Sequence, residues 1–207
     1  QGRGAVDVFI LFPEGRVSPV QQRQMTSVDA PGVHAVAVPS DFDDCQDIVK
    51  TLFNEHGFRD EVNLSAVNSI NWARLMPQIV YYFSSALALG APDTKVAFSV
   101  PTGNFGNVFA GYVAAQMGLP IERLIVASNQ NDILTRFFES GTMQREAVAP
   151  SYSPSMDIQV SSNFERLLFE LLGRDGNAVN AAMATFAKTG RFDVDASVLE
   201  KAHNMFA

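Results

Sequence analysis

Two short stretches carry residues whose types and spacing could hold an anion. The first is Val100-Pro101-Thr102-Gly103-Asn104-Phe105-Gly106-Asn107-Val108, where an apolar run breaks at two glycines and two asparagines and then passes into small-residue-rich helical sequence. Glycine lets a backbone approach a ligand closely and take positive φ, and a helix start presents unpaired N–H groups with a partial positive charge. Phosphate is the guest that such a loop suits. No Gly-Lys-Ser or Gly-Lys-Thr follows the glycines, and the three-glycine fingerprint with an acidic residue about 20 positions on is missing, so ATP and NAD are disfavoured. A tight turn whose glycines serve packing alone uses the same residue types, and the asparagines favour the ligand loop.

The second stretch is Asn68-Ser69-Ile70-Asn71-Trp72-Ala73-Arg74. Asn68 and Ser69 suit a helix start, where free N–H groups point outward, and Arg74 offers two parallel donors to a phosphate or carboxylate. An ordinary cap followed by a solvated arginine is the plainer alternative. Two anion-suited helix starts on one scaffold could hold two phosphates on opposite sides of one cleft.

Other chemistry finds less support. His34, His56 and His203 lie far apart without metal-ligand spacing, and surface or structural roles are expected for them. Cys45 is the only cysteine, with no disulfide partner and no second soft ligand for zinc in the chain, which implies a reducing compartment. The 15 Lys and Arg are scattered and the net charge is −7, so the basic stripe that nucleic acid demands is absent. Residues 79–89 form an apolar run interrupted by Ser84 and Ser85, well short of the roughly 20 residues that span a bilayer. No membrane segment and no export signal are expected.

The elements that must position the two stretches follow from hydrophobic patterning. With 47% hydrophobic and 18% charged residues, the 207-residue chain can bury a core. Residues 6–12 predict a strand buried on both faces, residues 18–25 a short helix with Pro19 first, and residues 34–38 a second strand. A helix over 41–54 opens on acidic residues and spaces Ile48, Val49, Leu52 and Phe53 helically. Residues 62–66 read as a short extended piece. Residues 71–89 read as a long helix buried on most of its circumference, kinked or broken at Pro77. Strands over 95–100 and 123–127 alternate with helices over 108–117 and 131–138. Beyond Gly141 an irregular link leads to helices over 164–172 and 178–188 without strands between them, and 196–206 is helical. The fold class is α/β, with open, mostly parallel sheets, flanking helices and a helical C-terminal part.

Taken jointly, several motifs resemble those of threonine synthases from the bacterial and fungal branch. They are Asn68-Ser69-Ile70-Asn71 with Arg74, Gly103-Asn104-Phe105-Gly106-Asn107 after Val100-Pro101-Thr102, and Met156-Asp157-Ile158 followed by Ser161-Ser162-Asn163-Phe164-Glu165-Arg166-Leu167-Leu168-Phe169-Glu170. Residues 10–25 are similar as well, so the resemblance covers essentially the whole chain. It implies a cytoplasmic, fold-type-II pyridoxal-phosphate (PLP) enzyme of the tryptophan synthase β-like kind, which converts O-phospho-L-homoserine and water to L-threonine and phosphate. It also implies that Gly103, Asn104, Phe105, Gly106 and Asn107 hold the PLP phosphate, and that Asn68, Ser69 and Arg74 grip the substrate phosphate.

The family's PLP-binding lysine lies in a Lys-Asp-Phe-like context before a Ser-Gly-Asp-Thr-Gly loop, and this sequence contains neither. Lys50, Lys95, Lys188 and Lys201 are not expected to replace it. Gln1 at the start and Ala207 inside a helical pattern suggest a fragment lacking the catalytic lysine, inactive alone. Residues 1–90 would be the remainder of an N-terminal α/β region holding the substrate-phosphate site, and residues 91–207 the cofactor-loop region with its helical extension. The alternatives are another fold-type-II PLP lyase, whose substrate lacks a γ-phosphate, and a threonine-synthase-like binding protein without chemistry.

Overall fold

In the computed structural model, which describes residues 6–207, the β-branched and aromatic residues of the first apolar run form strand β1 (Val8–Pro13). It pairs in parallel with β2 (Val33–Val38), in register from Val8 opposite Val33 to Pro13 opposite Val38. Helix α1 (Pro19–Thr26) joins them. Its capping box has Ser18 accepting from the Gln21 N–H while the Gln21 side chain accepts from the Ser18 N–H, and Pro19 occupies the first turn. Helix α2 (Phe42–Asn54) starts on Asp41, which accepts from the Asp44 N–H, and α3 (His56–Glu61) follows. These elements, with Tyr152–Ser155, make one compact unit.

Two expectations for this unit fail. β1 is not buried on both faces, because Phe12 is covered while Phe9 is 63% exposed and stacks on His34 in the neighbouring strand. The helix expected over 41–54 is present as α2, which buries Cys45 and Gln46 and leaves Ile48 and Leu52 partly open. Residues 62–66 form no strand. The chain turns instead at Asn63, with φ at 50°, and the Leu64 N–H bonds back to the Arg59 carbonyl.

Ser65–Ser151 and Met156–Ala207 form the second unit. The break expected at Pro77 within residues 71–89 is present: a single turn, α4 (Trp72–Leu75), then a 3-10 turn (Met76–Gln78), then α5 (Ile79–Ala88). Pro77 causes the break, since it has no N–H and its ring clashes with the preceding turn. The burial expectation for this segment needs correction. Leu75, Ile79, Tyr82 and Ala86 form the one covered stripe, while Val80, Tyr81 and Leu87 are each more than 60% exposed.

β3 (Val96–Pro101), α6 (Gly106–Gln116) and β4 (Ile121–Ala127) make a parallel β-α-β unit, with one irregularity between Val96 and Ala97. Val96, Val100, Leu124 and Val126 are buried, whereas Ala97, Ser99 and Ile125 face outward. β3 is therefore covered on one face. α7 (Ile133–Ser140) follows, ended by Gly141 in the left-handed region. The short β5 (Thr142–Gln144) and β6 (Arg191–Asp193) pair antiparallel and place buried Met143 opposite buried Phe192. Between them in sequence lie α8 (Phe164–Leu171) and α9 (Gly176–Thr189), and α10 (Ala196–His203) comes last. The helix expected over 196–206 stops at His203. The end of the chain instead runs beside β4, with the Leu124 N–H bonded to the Met205 carbonyl at 2.9 Å and the Ala207 N–H to the Leu124 carbonyl at 3.0 Å.

The α/β class with parallel strand pairs and flanking helices agrees with the sequence reading. No helix among the described residues is long and apolar enough to cross a membrane. The second unit's core is aromatic: Phe105, Phe138, Phe164 and Phe206 meet at centroid distances from 5.4 to 6.4 Å. Tyr82, 4% exposed, donates its hydroxyl to the Asn107 side-chain oxygen at 2.6 Å and to the Asn107 carbonyl at 2.9 Å. It fits because Gly111 leaves room, and a Cβ there would fall 2.6 Å from the ring.

Phe206→Ala should cost about 3–5 kcal/mol, because it empties a site 1% exposed at the centre of that cluster. Urea denaturation reads this, and a loss below about 1 kcal/mol would show that the chain end is not part of the core. Burial pushes the Tyr82 phenol well above its ordinary value of 10.0. The folded chain then holds this proton more tightly than the unfolded chain, so stability is intact below pH 10 and declines as pH rises beyond it. Tyr82→Phe should be less stable at neutral pH by about 0.5–1.5 kcal/mol, through the lost hydrogen bonds. It should also lose less stability than the unaltered chain when denaturation is repeated near pH 11, and parallel losses would refute this account.

Candidate functional site

The loop between β3 and α6 is fixed from behind by an apolar side chain. β3 ends where the Thr102 N–H bonds to the Ala127 carbonyl at 3.0 Å. Phe105 then sits at φ 62°, in the left-handed region, with its ring 0% exposed. That conformation costs a non-glycine residue about 1–2 kcal/mol, and burying a phenylalanine ring contributes about 1.5–3 kcal/mol, so packing wins. The backbone N–H groups of Gly103 through Val108 form no hydrogen bond to another described residue. A run of free donors at a helix start is the geometry that anions occupy.

Both glycines of the loop also pack closely. A Cβ on Gly103 would stand 3.0 Å from Ile158 Cδ1, and one on Gly106 would stand 3.2 Å from Ser69 Cβ and 3.4 Å from Asn163 Nδ2. The packing role and the ligand role are therefore compatible rather than exclusive. Asn104 is stitched in place, its carbonyl accepting from the Asn163 N–H at 3.0 Å and its side-chain oxygen from the Ser162 hydroxyl at 3.2 Å. Asn107 is engaged by Tyr82. Ile158, behind Gly103, follows Asp157, whose carboxylate accepts from Asn129 Nδ2 at 2.7 Å, Asn131 Nδ2 at 3.1 Å and the Ser151 N–H at 2.8 Å.

The second stretch forms a capped turn beside this loop. Asn68 Oδ1 accepts from the Ile70 N–H at 3.1 Å, and Asn71 caps α4 by accepting from the Ala73 N–H at 2.9 Å. Ser69 is half-buried against Gly106, so the turn and the loop are neighbours. Arg74 is exposed, and its guanidinium has no hydrogen bond or ion pair to another described residue. Lys50, Lys95, Lys188 and Lys201 belong to neither stretch.

Two residues that the sequence reading quoted only as family pattern hold the parts together. Arg166 donates from Nε to Asn163 Oδ1 at 3.0 Å and from Nη2 to the Ile70 carbonyl at 2.9 Å, and lies over the Trp72 ring at 5.6 Å. Asn163 is 0% exposed. Their spacing of three at a helix start was the available signal. Ser161 Oγ, nearby in sequence, is buried without a partner among the described residues. A cleft of about 760 Å³ along α9 and β6 shares no lining residue with either stretch.

Free backbone donors, two close-approach glycines and an uncommitted guanidinium fit phosphate groups. Among the described residues there is no cluster of His, Cys, Asp and Glu suited to a metal ion. A profile of the pyridoxal-phosphate dependent enzyme family matches residues 2–197. The chain is 54% identical over 201 residues to the threonine synthase of Pseudomonas aeruginosa, covering 97% of this chain and 43% of that protein. It also superposes on the crystal structure of PLP-bound threonine synthase from Brucella melitensis with a TM-score of 0.88 at 59% identity, covering 100% of this chain and 44% of the other. For the yeast threonine synthase structure the TM-score is 0.85 at 47% identity, with coverage of 100% and 43%. The chain thus spans less than half the length of these relatives, and throughout that span it belongs to the pyridoxal-phosphate dependent enzyme family, with threonine synthases as its relatives.

Proposed function

We propose that the chain supplies the two phosphate grips of a threonine synthase, the enzyme that converts O-phospho-L-homoserine and water to L-threonine and phosphate. The observation that carries this reading is the run of free N–H groups from Gly103 to Val108 with Ser69 packed against Gly106. Gly103, Asn104, Phe105, Gly106 and Asn107 hold the phosphate of PLP in this reading, and Asn68, Ser69 and Arg74 hold the substrate phosphate. PLP, when bound, supplies an electron sink for charge at the substrate's α carbon.

The chain's own residues bind and orient. Arg74 and the start of the second stretch offset the negative charge that grows on the leaving phosphate as its bond to the γ carbon breaks. Asparagine, serine, backbone N–H and guanidinium groups are donors rather than bases at neutral pH, so this stretch fixes the two phosphates and leaves proton transfer to other groups. The substrate is a small anion. With 15 Lys and Arg scattered through the chain and a net charge of −7, nucleic acid is a poor partner.

Calorimetric titration of the chain with pyridoxine 5′-phosphate and with pyridoxine isolates the cofactor grip, since neither ligand has an aldehyde to react with a lysine. The phosphorylated form should bind about tenfold tighter or more, and equal affinities would rule out the loop as a phosphate site. Arg74→Ala should weaken O-phospho-L-homoserine by about tenfold or more and leave pyridoxine 5′-phosphate within about twofold. A chimera carrying this stretch in the Pseudomonas aeruginosa threonine synthase tests the activity. It should release phosphate and threonine together, and a chimera that binds both ligands yet releases neither product would favour a binding protein instead.

A further inference from the structure

Arg166 stands between the two anion-suited stretches and is bonded toward both. On one side its Nε holds Asn163 Oδ1 at 3.0 Å, and the Asn163 N–H holds the Asn104 carbonyl, also at 3.0 Å. Asn163 further sets its side chain 3.4 Å from the point where a Gly106 Cβ would stand. On the other side Nη2 holds the Ile70 carbonyl at 2.9 Å, inside the turn that Asn68 and Asn71 cap. The Trp72 ring, 5.6 Å away, lies under the guanidinium.

A guanidinium is planar and its donors point in fixed directions, so the two bonds cannot reorient independently. Asn163 is fully buried and cannot swing aside. A displacement of the Gly103–Asn107 loop therefore reaches the 68–74 turn through one rigid group.

We infer that Arg166 is a positioning residue that couples the two grips, so that a ligand at the 103–108 loop and a ligand at the 68–74 turn each raise the affinity for the other. The inference rests on the phosphate reading above. The first ligand fixes the position of its own stretch, Asn163 and Arg166 carry that position to the other through their bonds to Asn104 and Ile70, and the second ligand then meets donors already set. The coupling is reciprocal. Two phosphates repel one another, but a lysine at position 166 keeps the positive charge and removes the fork, which separates geometry from charge.

Calorimetry on the whole chain would measure pyridoxine 5′-phosphate binding with and without saturating O-phospho-L-homoserine, and then the reverse order. The unaltered chain should show mutual tightening of about fivefold or more. In Arg166→Lys and Arg166→Met the factor should drop below about twofold, while each ligand alone still binds. Trp72→Leu, at an exposed position, leaves the core intact and should lower the factor as well. Full coupling in Arg166→Lys would mean that charge rather than the fork carries it, and independent binding in the unaltered chain would end the idea outright. Failure of both ligands to bind the unaltered chain would instead remove the phosphate reading, and this inference with it.

Discussion

The position of the Phe105 ring is the constraint on which the site depends. A left-handed phenylalanine is unfavourable by itself, and it persists because the ring is at the centre of an aromatic cluster that includes Phe138, Phe164 and Phe206. Those partners come from α7, from α8 and from the end of the chain beside β4. The turn that leaves the Gly103–Val108 donors free is thus held by the hydrophobic core of its unit, without help from those donors. Preorganisation of this kind is what an anion site needs, since donors spent on holding the loop could not bind a ligand.

The glycines show why packing and binding need not compete. Gly103 makes room for Ile158, and Gly106 makes room for Ser69 and Asn163, on the side where a Cβ would project. Their N–H groups bond to no other described residue. One residue type serves both needs because a missing side chain lets the backbone be approached from more than one direction. The segment from Met156 to Arg166 exploits this by reaching Gly103 through Ile158, Asn104 through Ser162 and Asn163, and Ile70 through Arg166.

Much of this was legible in the residues. Apolar runs with β-branched residues located β1 to β4, and acidic or hydroxyl starts located α1 and α2, because these are local signals. The three-residue strands β5 and β6 escaped notice, since a period of two cannot be read from three residues between helices. Composition does not fix environment. The segment around α5 is apolar nearly all round, yet only the stripe through Leu75, Ile79, Tyr82 and Ala86 is covered. At the site, Gly103 to Asn107 and Asn68 to Arg74 stood out by residue type. Asn163 and Arg166 did not, because their role depends on Ile70, which is 96 residues from Arg166 in the chain.

The chemistry of the donors limits what the site can discriminate. Arginine, asparagine, serine and backbone N–H groups recognise negative charge and shape, and none of these donors gains or loses a proton near neutral pH. A phosphate monoester, by contrast, takes up its second charge near pH 6. For the phosphate ligands proposed here, the ligand's own ionisation rather than the protein's would then set how tightly either stretch holds near neutrality. In the proposed reading, selectivity between a cofactor phosphate and a substrate phosphate comes from what surrounds each: a tightly packed loop in one case and a solvent-facing arginine on a single helical turn in the other.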